Sequence, residues 1–225
     1  PPFHTDARRI LLPHFGPKAV ERLTRTTRTI TTSLLDALDG RDRADAAADY
    51  AQHIPVRVIA HMLGIPESDE AIFTGWAVRI LQEAATDPEI GRIATREVLA
   101  YFGEQVALRR QERGEDLISA LLDAELDGAP LTDKHILGTC FLLLLAGIDT
   151  TWNSISSSLW HLATHPEDRA RLVADPALIP VAIEEFLRAY APVTMARIAV
   201  TDTEVGEART ACIEAVTQAH AAELR

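Results

Sequence analysis

The feature that most constrains the fold is a stretch of helical pattern between Thr132 and His165 with no strong helix breaker inside it. Thr132 is a favourable N-cap residue, and His165-Pro166 is the first stop signal that follows it. These limits predict a helix of about 33 residues, roughly 50 Å long at 1.5 Å per residue. Its middle, LLLLAGIDTTW over residues 142–152, is apolar nearly all round, so we expect this helix to cross the core.

The rest of the chain is also dominated by helical spacing of apolar residues. Pro55 should kink or split the second of the predicted helices, while β-branched residues over 193–205 favour short strands. The fold class predicted is therefore mainly α with a minor β-sheet, in a single domain over residues 1–225. Besides the long helix, the predicted helices cover residues 17–38, 46–63, 68–85, 88–114, 116–127, 166–174, 179–190 and 207–225.

Charge and hydropathy exclude some classes of function. The 225 residues carry a net charge of −11, which disfavours a general nucleic-acid binder. The longest apolar run, Phe141–Ile148, is far shorter than the about 20 residues of a membrane span, so no membrane segment is predicted. The opening residues PPFHTDARR have no apolar signal core. The only cysteines, Cys140 and Cys212, indicate no disulfide framework, and a cytoplasmic location is expected.

Small and polar residues interrupt the apolar centre of the long helix. Ala146 and Thr150 share one face, as do Gly147 and Thr151, so that a flat or bulky group could lie against the helix. Asp149 beside Thr150 places an acid next to a hydroxyl, which is a plausible pair for proton delivery. The alternative is a buried helix with a notch of small residues for packing, whose threonines bond their own backbone.

Two further pairs have an ordinary and a functional interpretation. Glu185 and Arg188 are three residues apart and can pair, which on a surface contributes little. His4 and Arg8 are one helical turn apart and could hold carboxylates, or could simply belong to a polar helix start.

The order and spacing of these pieces resemble a bacterial cytochrome P450, a haem-thiolate monooxygenase. AGIDTT resembles the oxygen-activation signature of that family's long central helix, and EEFLR, with Glu185 placed 36 residues after Asp149, resembles its Glu-x-x-Arg motif. Ala191-Pro192-Val193 followed by Arg197 resembles the segment that reaches a haem propionate. PPFHTDARR is similar to the helix that holds the other propionate. The resemblance covers residues 1–206.

This resemblance implies haem b as the cofactor and assigns roles around it. Ala146 and Gly147 would leave room for dioxygen over the haem, while Asp149 and Thr150 would relay protons during its activation. The implied partners are dioxygen, a small organic substrate, and a ferredoxin or flavin reductase as electron donor.

The remaining roles that the resemblance implies concern the edge of the haem and the core beside it. Glu185 and Arg188 would form a buried structural pair. The haem propionates would be held by His4, Arg8 and Arg197.

The family's iron ligand, a cysteine in a glycine-rich loop, is not found in the sequence. Cys140 lies in the long helix, and Cys212 lacks the glycines and histidine of that loop. Several dozen family residues would fall between Glu207 and Ala208, so the fold is expected to be incomplete. Three explanations are open: segments of a longer chain are omitted, the chain is truncated, or Cys212 is a replacement ligand. No metal ligand is therefore assigned.

Two functions follow from these patterns. The first is a haem-dependent monooxygenase that inserts one oxygen atom of O2 into a small organic substrate. The alternative is a truncated or haem-free helical binding module without catalysis.

Overall fold

The computed structural model describes residues 2–193, with side chains from His4 onward. The longest helix among these residues, α7, runs from Asp133 to Thr164. Thr132 is its N-cap, and its hydroxyl accepts a hydrogen bond from the backbone N–H of His135 at 3.3 Å. Pro166 follows its C-cap, His165. Both predicted ends of the long helix are confirmed, because each is set by a local capping or stop signal.

The two sides of α7 differ in burial. The buried side repeats every four residues, and it packs against the helices α3 (His53–Leu63), α4 (Glu70–Leu81) and α5 (Pro88–Gln111). The opposite side is open: Leu142 is 56% exposed, and Gly138 and Ala146 are exposed as well. Among residues 2–193, α7 therefore packs into the core on one side only, whereas the sequence predicted a helix that crosses the core. The buried side consists of Ile136, Cys140, Leu144 and Ile148.

Most of the other helices agree in position with the sequence pattern. Prolines stand at the first helical position of α2, α5 and α8, where a missing N–H costs nothing. Short 3₁₀ turns precede α4 and α9 and follow α4. The bounds are α1 Pro2–Phe15, α2 Pro17–Asp36, α6 Leu117–Leu122, α8 Pro166–Ala174 and α9 Ile179–Ala189, with 3₁₀ turns at Glu67–Asp69, Glu83–Ala85 and Pro176–Leu178.

The helix predicted over residues 46–63 is split, as Pro55 suggested. A π-helical turn, Ala46–Ala51, ends at Gln52, and α3 begins at His53. The break precedes the proline because Pro55 can then lie in the first turn of α3, where its backbone nitrogen needs no hydrogen to donate.

The helix predicted over residues 116–127 is too long. α6 ends at Leu122, and a two-stranded antiparallel hairpin follows, formed by β1 (Glu125–Leu126) and β2 (Ala129–Pro130). Asp127 and Gly128 both have positive φ, 53° and 75°, as a tight hairpin turn requires. The Asp127-Gly128 pair, where the predicted helix ended, is in fact a hairpin signal.

A polar cluster fixes the start of α6 against α5 and α3. Asp116 caps α6 by accepting from the backbone N–H of Ser119, and its carboxylate also lies 3.3 Å from Nε of Arg109. The same guanidinium donates to the carbonyl oxygen of Gly64, the αL residue that ends α3. Arg109 and Asp116 are only 13% and 10% exposed, so the pair is largely shielded from water.

Aromatic side chains join α4 to α5. Phe73 packs edge-on against Phe102 at 5.9 Å between ring centroids, and both are fully buried. The indole N–H of Trp76 donates to Glu97 at 2.9 Å. Arg79 donates twice to the same carboxylate, and these bonds hold the pKa of Glu97 below its usual value.

By length and composition, α7 could cross a membrane, in contrast to the prediction from the eight-residue apolar run. The core helix of a folded protein passes the same test, and α7 carries the core on its buried side. Length and composition are therefore weak evidence that this helix spans a membrane.

Internal contacts divide the chain into two compact units, residues 1–192 and 193–225. The structure describes residues 2–193. The strands predicted over 193–205, apart from Val193, and the helix predicted over 207–225 lie outside the described residues. The single domain over residues 1–225 stays a prediction.

Candidate functional site on the long helix

The open side of α7 contains the hydroxyl that the sequence singled out. Thr150 is half-buried and lies one turn after the exposed Ala146. Its Oγ1 donates a hydrogen bond to the backbone carbonyl oxygen of Ala146 at 3.0 Å. The hydroxyl hydrogen therefore points along the helix, and the oxygen keeps lone pairs that can accept a hydrogen bond from another donor.

Two serines continue this pattern along the same face. Ser154 donates to the carbonyl oxygen of Thr150, and Ser158 donates to that of Ser154, both at 2.8 Å. The spacing of four residues is visible in the sequence, and i−4 bonding by Ser and Thr is its usual outcome. Sequence reasoning did not use this signal.

Asp149 is half-buried, next to Thr150 in sequence but about 100° around the helix. No hydrogen bond or ion pair joins its carboxylate to another residue within 2–193. The structure thus places the acid and the hydroxyl beside each other without bonding them directly. A proton would have to pass between them through a third group, such as water.

Gly147 does not lie on the open side. An added Cβ would stand 2.6 Å from Cδ1 and 2.9 Å from Cγ1 of Ile59 on α3. This geometry favours the packing interpretation for Gly147, because the missing side chain lets α3 approach α7. Its role in leaving room over a haem stays a prediction, whereas Ala146 lies on the open side.

His4 and Arg8 are both exposed and lie one turn apart on α1. Arg9, not Arg8, pairs with Asp6, at 2.6 Å. Within residues 2–193 neither His4 nor Arg8 has an ion pair, so both remain available to an anion. Arg197, predicted as the third member of this set, lies outside the described residues.

Glu185 and Arg188 form the predicted pair on α9. Nε and Nη2 of Arg188 donate to the two carboxylate oxygens at 2.7 and 2.6 Å, which lowers the pKa of Glu185 and raises that of Arg188. The side chains are 72% (Arg188) and 58% (Glu185) exposed, so the expectation of a buried pair is not met within the described residues. The reason is that this side of α9 has no cover there, since Val181, one turn before Glu185, is exposed too.

A histidine that the sequence analysis missed ties the end of α7 to α8 and α9. His161 lies 2.7 Å from the hydroxyl of Tyr190 through Nδ1 and 3.1 Å from Asp168 through Nε2. Because the carboxylate can only accept, Nε2 donates to Asp168, and in the neutral ring Nδ1 accepts from the Tyr190 hydroxyl. The bond to His161 is the main cause that lowers the pKa of Asp168. This contact positions the helix that carries Glu185 and Arg188.

Cys140 can be excluded as an iron ligand. It is fully buried on the side of α7 opposite to Ala146, and burial raises the pKa of its thiol to about 12. Iron binds the thiolate, which this environment disfavours. Cys212 and the junction of Glu207 with Ala208 lie outside the described residues.

A haem fits the described residues on one face only. The open side of α7 offers an apolar wall with a small residue at Ala146 and a hydroxyl at Thr150, which suits a flat macrocycle with space above it. His4 and Arg8 could hold its carboxylates. Cys140, the only cysteine among residues 2–193, is buried on the other side of α7, so a thiolate ligand for the iron would have to come from outside these residues.

Comparisons with known proteins agree on one family. The family model described as Cytochrome P450 matches residues 95–212. The chain is 36% identical over 196 residues to Cytochrome P450 CYP107DY1 of Priestia megaterium, covering 86% of this chain and 48% of that protein. It is 35% identical to the Mycinamicin IV hydroxylase/epoxidase of Micromonospora griseorubida, covering 84% of this chain and 48% of that protein.

A solved structure extends the likeness to the fold. The cytochrome P450 PksS of Bacillus subtilis matches with a TM-score of 0.80 and 32% identity, over 86% of this chain and 50% of that one. The chain spans about half the length of the curated relatives that it matches.

Proposed function

Because the chain belongs to the cytochrome P450 family, we propose that the protein is a haem-dependent monooxygenase that inserts one oxygen atom of O2 into a small organic substrate. The observation that carries this proposal is the open, apolar side of α7, where Ala146 is exposed and the Thr150 hydroxyl lies one turn further along. When bound, haem b supplies the redox-active iron at which dioxygen is activated.

Ala146 and Leu142 provide the wall of the reaction site. Once a haem covers the open side of α7, their apolar side chains would exclude water from it, and the single methyl group of Ala146 leaves space for a small molecule. Exclusion of water strengthens each remaining polar interaction. Polar contacts made by Thr150 therefore have more effect here than they would in bulk solvent.

Thr150 and Asp149 handle protons. The Thr150 hydroxyl donates its hydrogen bond to the Ala146 carbonyl oxygen. Its own oxygen can therefore accept a hydrogen bond from a water molecule and hold that water at the wall. Asp149, which has no partner in the described part of the chain, can take a proton from solvent and pass it to this water. Delivery through an acid and a hydroxyl is general acid catalysis, which contributes about 10²–10⁴-fold in rate.

His4, Arg8 and Arg197 are proposed to bind the propionates through charge-assisted hydrogen bonds. Electrons come from a ferredoxin or flavin reductase, and a cytoplasmic location is proposed. The relative named for both hydroxylation and epoxidation carries out two kinds of oxygen insertion, which supports the same reaction class for this chain.

Replacement of Thr150 tests the proposal in the full-length, haem-loaded protein. Thr150→Ala removes the hydroxyl and should raise the fraction of electrons lost to peroxide or water severalfold, whereas Thr150→Ser keeps the hydroxyl and should stay close to the natural coupling. The measurement is the ratio of product formed to reduced cofactor consumed. Equal ratios for the alanine and natural proteins would contradict the proton role.

The alternative, a helical binding module without catalysis, makes a different prediction. A full-length protein that folds cooperatively but takes up no haem would favour that module and exclude the monooxygenase.

A further inference from the structure

A tyrosine and a histidine meet at the end of α7, beyond the wall formed by Ala146. The hydroxyl of Tyr190, the C-cap of α9, lies 2.7 Å from Nδ1 of His161, and Nε2 of the same ring lies 3.1 Å from Asp168 on α8. In the neutral ring both hydrogen bonds run in one direction, from Tyr190 to His161 and from His161 to Asp168. We call these three residues the Tyr190 relay.

The surroundings of His161 favour a positive charge on its ring. The side chain is only 17% exposed, and the carboxylate of Asp168 balances an imidazolium. The ring centroid of Phe186 is 5.1 Å away, within the range of a cation–π interaction. The relay therefore contains an imidazole that can take up a proton without leaving an uncompensated charge.

This arrangement lowers the cost of removing an electron from Tyr190. A phenol that loses one electron becomes a strong acid, so its oxidation is easiest where a base already accepts its hydrogen bond. Imidazole is more basic than a carboxylate by more than about a hundredfold. In the balanced step the oxidant gains one electron, the O–H bond of Tyr190 breaks, and an N–H bond forms at Nδ1 of His161. The products are a neutral tyrosyl radical and an imidazolium.

The other tyrosines of the chain lack this combination. Tyr101 donates to the carboxylate of Asp69 at 2.5 Å, so its acceptor is the weaker base. Tyr50 has no hydrogen-bond partner within residues 2–193, and burial raises its pKa. Since the sequence contains three tyrosines, Tyr190 can be compared directly with the other two.

The relay lies on the same side of α7 as the proposed haem wall. At 100° per residue, His161 is within about 60° of Ala146 and about 20° of Thr150, and it lies roughly 16 Å beyond Thr150 along the helix axis. Single electrons move between redox groups in proteins over distances of this order. The relay is therefore placed to exchange electrons with a group bound against the wall.

Trp160 gives the relay a connection to solvent. Its ring packs edge-on against that of Tyr190, with 6.0 Å between the centroids. It is 58% exposed within the described part of the chain. A small reductant in solution can therefore deliver an electron to Tyr190 through this indole.

We propose that Tyr190 is a redox-active tyrosine that gives up one electron and passes its proton to His161. The inference rests on the proposed function, because the oxidant is the haem after activation of dioxygen that no substrate has consumed. The haem gains the electron. A soluble reductant such as ascorbate then loses one electron, Trp160 passes it to Tyr190, and the proton returns from His161. The relay thus removes oxidising power that would otherwise damage the site.

Light-driven oxidation tests the relay in the full-length protein without using the haem. A ruthenium polypyridyl complex, flashed in the presence of an electron acceptor, supplies the oxidant, and electron paramagnetic resonance detects the tyrosyl radical. Tyr190→Phe should remove most of the signal, whereas Tyr50→Phe and Tyr101→Phe should keep it. His161→Gln should slow radical formation at least about tenfold, because an amide is not a base at this pH.

The neighbouring histidine provides the matched control. His165 stacks on the ring of His161 at 4.1 Å between centroids, and its Nδ1 lies 3.1 Å from the backbone carbonyl oxygen of His161. His165→Gln removes an imidazole from the same place but leaves the bond between Tyr190 and His161. This variant should form the radical at close to the natural rate.

The pH dependence is a readout that a purely structural role would not move. The titratable or charged groups that face His161 are His165, Tyr190 and Asp168, and Asp168 is bonded to Arg171 at 3.1 Å. The rate in the natural protein should fall as the pH drops through the range in which imidazole titrates, because a protonated Nδ1 cannot accept. The fall should persist in His165→Gln and disappear in His161→Gln.

A second arm tests the link to the haem. Hydrogen peroxide is added to the haem-loaded protein without substrate, and a tyrosyl radical that is lost in Tyr190→Phe is expected. The proposal is overturned if Tyr190→Phe keeps the light-driven radical, if His165→Gln slows it as much as His161→Gln does, or if peroxide gives no radical at Tyr190 in the haem-loaded protein. A full-length protein that takes up no haem would instead refute the proposed function and leave the light-driven result unchanged.

Discussion

Replacement of Gly147 by alanine tests how α7 packs beside the candidate site. An added Cβ would lie 2.6 Å from Cδ1 of Ile59, whereas ordinary Cβ contacts begin at 3.4 Å. Ile59 is 6% exposed and packed inside the core, so its side chain has little room to move. Overpacking of this kind costs about 1–3 kcal/mol.

Gly138 provides the control on the same helix. It lies on the open side, and apart from its chain neighbours and the nearby helix backbone, no atom of residues 2–193 comes within 4 Å of a Cβ added there. Alanine is favoured over glycine in a helix interior by about 1 kcal/mol. Gly138→Ala should therefore raise the free energy of unfolding by about 1 kcal/mol. The free energy of unfolding of Gly147→Ala should be about 1–3 kcal/mol lower than that of Gly138→Ala.

The assay is urea unfolding followed by circular dichroism. The slope of the unfolding free energy against urea concentration is compared among the variants. Ile59→Val removes Cδ1, the atom in closest contact, so the double variant Gly147→Ala/Ile59→Val should lose less than the sum of the two single changes. A coupling of about 1 kcal/mol is expected for residues in contact. If Gly147→Ala is as stable as Gly138→Ala, the packing explanation of this glycine is wrong.

Three other variants or probes test the described structure. Asp116→Ala should cost about 3 kcal/mol, because it leaves a buried guanidinium unpaired, while Asp123→Ala, at an exposed ion pair, should cost little; urea unfolding measures both. Cys140, with its raised thiol pKa of about 12, should resist iodoacetamide at pH 8 until the protein is unfolded, as peptide mass spectrometry would show. The pKa of Glu97 is lower in the folded protein than in the unfolded chain. Glu97 therefore stabilises the fold at a pH above its unfolded pKa, and this stabilisation is lost as the pH falls through its folded pKa. Glu97→Gln should therefore make the free energy of unfolding depend less on pH in the acid range. An unchanged pH dependence would contradict the lowered pKa of Glu97.

Local signals allowed the ends of α7 to be predicted from sequence. Thr132 caps the helix through its own hydroxyl, and Pro166 restricts the residue before it. Neither depends on distant residues. The Asp127-Gly128 turn is equally local, since an Asp-Gly pair favours a hairpin turn over the helix predicted to reach residue 127.

Non-local contacts could not be predicted in this way. Nothing near Gly147 in sequence indicates that Ile59 fills the space of its missing side chain, since that contact depends on how α3 packs on α7. The exposure of Glu185 and Arg188 likewise depends on what covers α9, not on their spacing. Residue types could suggest a site on α7, but packing decides that Ala146 lies on its open side.

The central claim is that the open side of α7 is one wall of a haem pocket. The most direct measurement is the absorption spectrum of the reduced full-length protein titrated with CO, compared between the natural protein and Ala146→Phe. Lys134→Phe, about 18 Å away on the same helix, is the control. The account predicts the Soret band typical of thiolate-ligated haem in all three. It also predicts CO binding at least about tenfold weaker in Ala146→Phe alone, a cost of about 1.4 kcal/mol. A missing thiolate band, or natural CO affinity in Ala146→Phe, would contradict it.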